Sequence, residues 1–100
     1  NLIKLYKFSH FSEKISIYSI QLKASENPDK ITSIKNQYKK LHPNEIIEEI
    51  FEPPYFKVFV GYYLDPKKAQ KKLTLIQKKF KSAFVLERET SIQDLKKNIQ

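Results

Sequence analysis

The chain predicts an α+β domain with the element order βαββαβ, and three observations carry that expectation. Two segments open with the same Asn/Asp-Pro signature and continue with apolar residues three or four apart, the spacing of one helix face. Four other segments are short, apolar and rich in β-branched or aromatic residues, as strands are. One glycine and five prolines punctuate the chain, and no low-complexity tract or Gly/Ser linker divides it. With 100 residues, 40% of them hydrophobic, one domain with one modest core is expected.

The first strand is expected over about 16–24, where Tyr18, Ile20, Leu22 and Ala24 alternate with Ser19, Gln21 and Lys23. Asn27 then caps a helix, Pro28 occupies the first helical position where its missing N–H costs nothing, and Asp29 suits the dipole. Ile31, Ile34, Tyr38 and Leu41 form its apolar face, and His42-Pro43 ends it because the residue before proline resists helical geometry. Residues 45–52 read as a second strand, with Pro53-Pro54 turning it into a third at 55–61, Tyr55-Phe56-Lys57-Val58-Phe59-Val60-Gly61. Asp65-Pro66 opens a second helix over 66–80, with Ala69, Leu73, Ile76 and Phe80 as its buried stripe. Ala83-Phe84-Val85-Leu86 begins a fourth strand over 83–88. Residues 90–100 spell a short terminal helix capped by Thr90 or Ser91. Residues 1–14, with Leu2, Leu5, Tyr6, Phe8 and Phe11, are an extension or linker too apolar for a free tail.

Charge and composition narrow the function classes. The net charge is +8, and residues 65–81 supply +6 of it through seven lysines against Asp65. Residues 44–52 carry Glu45, Glu48, Glu49 and Glu52 without a lysine, so the surface is segregated rather than coated for polyanions, and the lysine-rich helix reads as a solvated face. The absence of cysteine excludes disulfides, thiolate metal sites and a cysteine nucleophile. His10 and His42 stand far apart with no HExxH spacing, so no metal or other cofactor is expected. No apolar run reaches the ~18 residues of a membrane span. Asn1 in place of Met, with no basic and apolar leader, predicts an excised or processed piece whose signal or anchor lies outside it. Catalysis by paired carboxylates is not expected: Glu48 and Glu49 point to opposite faces of a strand, and Glu48 and Glu52 lie ~13 Å apart, beyond the ~5–9.5 Å of glycosidase pairs.

Tyr18-Ser19-Ile20-Gln21-Leu22 before a helix, and Phe56-Lys57-Val58-Phe59-Val60-Gly61-Tyr62-Tyr63 before Ala69, resemble the SPOR domain, a bacterial peptidoglycan-binding module. Gln21, Ala24, Val58, Val60, Gly61, the aromatic Tyr63 and Ala69 fit its pattern. Lys23, Ser25, Phe59 and Tyr62 depart from it, standing where glycine, Phe, arginine and proline are common. The resemblance spans about residues 17–87, within a domain drawn at 15–89.

The resemblance implies a ferredoxin-like fold: a four-stranded antiparallel sheet with two helices on one face, the open face binding glycan strands stripped of stem peptides. With helices on one side, Tyr18, Ile20, Leu22, Val58 and Val60 point inward, leaving Ser19, Gln21, Lys23, Lys57 and Phe59 uncovered. With Ser25 and Tyr63 from the matched segments, these form the expected glycan site: an amide for sugar hydroxyls and N-acetyl groups, ammonium groups for a lactyl carboxylate, an aromatic ring for a pyranose face. The implied protein is a monomeric, non-catalytic module of the periplasm or cell envelope that brings its parent to the division septum or wall. Two rivals share the element order. An RNA recognition motif would need a basic-Gly-aromatic signature inside the third strand, where the only glycine here ends that strand, so nucleic acid is not the expected partner. A ligand-free protein-interaction domain remains open at this level.

Overall fold

The computed structural model describes residues 14–92 and places six elements in the expected order: β1 (Lys14–Ser25), α1 (Pro28–Leu41), β2 (Ile47–Glu52), β3 (Tyr55–Tyr63), α2 (Pro66–Ile76) and β4 (Phe84–Ser91). The strands form one antiparallel sheet in the order β2-β3-β1-β4, so the longest strand, β1, is central and pairs on both edges. Both helices pack on one face. There Ile20, Leu22, Val58 and Val60 from the sheet meet Ile31 and Tyr38 from α1, and Leu73 and Ile76 from α2. Each such aliphatic side chain contributes roughly 1.5–3 kcal/mol by leaving water, which is what holds two otherwise marginal helices in place.

The helix starts follow the local chemistry. Asn27 Oδ1 accepts the Asp29 N–H at 2.9 Å, Asp65 Oδ1 accepts the Lys67 N–H at 2.9 Å, and a proline follows each cap. His42 closes α1 by donating its N–H to Tyr38 O at 2.8 Å.

Several expectations are corrected. α2 stops at Ile76 rather than near 80, and Phe80 enters the core from a turn, its N–H donated to Ile76 O. Leu41 is half exposed because the α1 stripe has rotated off the sheet by its last turn. β2 begins at Ile47 because residues 42–45 form a turn, with the Glu45 N–H donated to His42 O. Thr90 and Ser91 belong to β4, paired with Ile15 and Lys14, and the next residue, Ile92, is already helical. The rest of the expected terminal helix, and the packing expected of the apolar residues before Lys14, lie outside the described residues.

Two irregularities in the β1–β3 ladder govern which side chains share a face. Tyr18 pairs with Tyr63 and Ile20 with Val60, so Ser19 alone opposes both Gly61 and Tyr62. Gly61 sits there at φ 85°, the left-handed conformation that glycine adopts without steric cost in this type of bulge. Further along, Gln21 pairs with Phe59 and Lys23 with Val58, so Leu22 and Lys23 together oppose one residue. Each bulge resets the alternation of the strand that carries it.

Candidate functional site

On the helix-free face, Arg88 of β4 lies at the centre of a polar and aromatic cluster. Its guanidinium stands 4.8 Å from the Phe59 ring centroid and 5.1 Å from that of Tyr62. Its Nε donates to Ser19 Oγ at 2.9 Å, and a terminal nitrogen pairs with Glu48. Ser19 Oγ in turn donates to Gly61 O at 2.7 Å, and the Tyr62 hydroxyl donates to Glu48 Oε1 at 2.9 Å. Burial, and then the hydrogen bond to Glu48, raise the Tyr62 hydroxyl above the usual tyrosine range, which keeps it a donor. Four strands converge in this network, and its parts are held from both sides of the bulge.

Beside it, Gln21 of β1 is flanked in register by Phe59 of β3 and Phe84 of β4. Directly opposed residues of antiparallel strands share a face, so Phe84 lies against Gln21, and the residue is 47% exposed. Lys57, paired with Glu52 at 2.9 Å, flanks the same face. An amide next to an exposed ring can hold a sugar by hydrogen bonds to its hydroxyls and by contact with its apolar face. The guanidinium keeps further donors after its bonds to Ser19 and Glu48, enough for an anionic oxygen at its outer edge.

The expected site residues are therefore redistributed. Gln21 and Lys57 lie on the helix-free face. Phe59 is on that face too, but it is 4% exposed beneath Arg88, so the exposed ring beside Gln21 is Phe84. Ser19 is fully buried with its hydroxyl engaged on both sides. The β1 bulge turns Lys23 to the helix side, where it lines a groove with Ile34 and Phe80. Ser25 accepts the Asn27 N–H at 3.1 Å and so serves the entry to α1. The β3 bulge carries Tyr63 to the helix side and brings Tyr62 to the helix-free face in its place. Glu48, Tyr62, Phe84 and Arg88 were not anticipated. The period-2 row Phe84, Leu86, Arg88, opposite the core-facing Ala83 and Val85, is the signal that would have found two of them.

On the other side, at the junction of the helices, Glu45 accepts the Tyr38 hydroxyl at 2.5 Å and binds Lys72 Nζ at 2.5 Å and His42 Nδ1 at 3.1 Å. Burial of the Glu45 carboxyl opposes ionisation, but the hydrogen bonds from Lys72 and Tyr38 outweigh it and hold the group below the ordinary glutamate range. A lowered folded value means that ionised Glu45 stabilises the fold above ~4.3, the free-glutamate value, and that this contribution fades as the pH falls through the lowered one. Chemical denaturation between about pH 5 and pH 3 should thus show a shallower acid loss in Glu45→Gln than in the natural sequence; parallel curves would assign the loss to other carboxylates.

Comparison with known proteins bears on this face. The family model described as SPOR domain matches residues 15–87, which include all of α1, β2, β3 and α2, most of β1 and the first half of β4. No curated protein and no solved structure matches the chain.

Proposed function

Because this chain belongs to the SPOR domain family, a family of peptidoglycan-binding modules, we propose that its helix-free face binds glycan strands lacking stem peptides. The observation that carries the reading is the exposed Phe84 ring in register with the Gln21 amide, beside the Arg88 guanidinium. Phe84 stacks on the apolar face of a pyranose, Gln21 bonds an N-acetyl group or hydroxyl, and Arg88 with Lys57 attracts a lactyl carboxylate that no longer carries peptide. A stem peptide removes that negative charge by amidation, which gives the face a reason to prefer stripped strands. The domain acts without catalysis, as a monomer in the periplasm or cell envelope, and concentrates its parent protein at the septum or wall.

Sedimentation with purified sacculi tests this. The domain should pellet with sacculi, and more of it should do so after amidase treatment. Gln21→Ala should weaken binding several-fold, since one hydrogen bond contributes on the order of 0.5–1.5 kcal/mol. Equal pelleting before and after amidase treatment would remove the preference for stripped glycan. Tight binding of single-stranded RNA with no pelleting at all would replace the glycan reading altogether. A fusion exported to the periplasm should gather at midcell in dividing cells, and a diffuse signal would count against septal targeting.

A further inference from the structure

A groove of about 350 Å³ opens on the helix side, between the end of β1, α1 and the turn before β4. Leu22, Ile34 and Phe80 give it an apolar floor, and Lys23, Lys79 and Lys81 stand around it. None of these lysines forms an ion pair among the described residues, whereas Glu45, Glu48, Glu49 and Glu52 are each paired within the domain. The domain thus neutralises the anions of its acidic segment internally and leaves the groove's cations to an outside partner.

We propose that this groove binds an acidic peptide segment of a partner protein, with one apolar side chain seated on Leu22, Ile34 and Phe80 and flanking carboxylates paired with Lys23, Lys79 and Lys81. The volume lies at the lower end of ligand pockets, ~300–1,000 Å³, which suits one large side chain and its backbone. An aliphatic floor under a cationic rim matches an apolar residue between acidic ones. Nucleic acid fits less well: Phe80, the one ring in the lining, is 5% exposed and leaves no face for a base to stack on, whereas partly exposed Ile34 and the edges of Leu22 and Phe80 suit a small aliphatic contact. The site is separate from the helix-free face and does not depend on glycan binding.

The test is fluorescence anisotropy of the 100-residue chain with a labelled hexapeptide carrying a central Leu-Phe pair between two pairs of glutamates. Saturable binding is expected. Lys79→Glu with Lys81→Glu should weaken it by ~tenfold or more, since two attractions become repulsions. Lys67→Glu with Lys68→Glu changes the net charge equally but sits at the start of α2, and should weaken it by less than ~threefold. Replacing the peptide's Leu-Phe by Ser-Ser should abolish binding. No saturation by ~1 mM, equal losses from the two double variants, or equal binding of the Ser-Ser peptide would overturn the proposal. So would an oligothymidylate that binds more tightly through the same two lysines.

Discussion

Gly61→Ala is expected to destabilise the domain by about 2–4 kcal/mol and to lower the melting temperature by roughly 10–20 °C. Two costs add. Gly61 holds φ 85°, where an L-residue pays ~1–2 kcal/mol, and an alanine Cβ there would collide with Cε2 of the Tyr63 ring. That ring is partly buried against the core, so moving either it or the backbone disturbs native packing. The chain's other escape is to erase the bulge, which would return Tyr62 to the helix side and Tyr63 to the helix-free face, breaking the Tyr62–Glu48 bond and the Arg88 contact. Thermal denaturation, together with sacculus pelleting below the transition, checks both parts. A variant with unchanged stability and unchanged pelleting would mean that the bulge does not set the face.

Arg88→Ala should cost about 2 kcal/mol of stability, roughly 10 °C, and should reduce pelleting with amidase-treated sacculi more than Gln21→Ala does. The side chain is 15% exposed and lies over two rings, so its loss opens a gap above Phe59 and Tyr62 as well as removing a charge. Glu48, a third exposed, is partly rescued by water, which keeps the cost below the ~3–5 kcal/mol of breaking a fully buried pair. Arg88→Lys should restore little, because a single ammonium cannot bond Ser19 and Glu48 at once while lying flat on the rings. Pelleting measured at 10–15 °C, well below the lowered transition, separates lost contact from lost fold. Natural pelleting by a folded Arg88→Ala protein would remove the guanidinium from the glycan site.

Local patterns carried most of the architecture. The two cap-and-proline starts, the Ile31–Ile34–Tyr38 and Ala69–Leu73–Ile76 stripes, and the alternation of β1 depend on residues within a turn or two of one another, and each element formed close to where those patterns put it. Gln21 and Lys57 were legible for the same reason, since each lies where simple alternation from the core residues places it.

Tertiary structure decided the rest of the face. A bulge is a property of two paired strands, so neither the turn of Lys23 and Tyr63 to the helix side nor the appearance of Tyr62 opposite them could be read from one strand's period. Burial of Ser19 and Phe59 likewise depends on Arg88, which lies 69 residues from Ser19 and whose contacts reach across the sheet. Phe84 became the exposed ring beside Gln21 because pairing with β1 fixed its register, and β4 carried too short an apolar run for its facing to be known in advance. Alternation specifies a face only while the ladder is regular, and here the departures from regularity lie beside the polar and aromatic residues of the helix-free face.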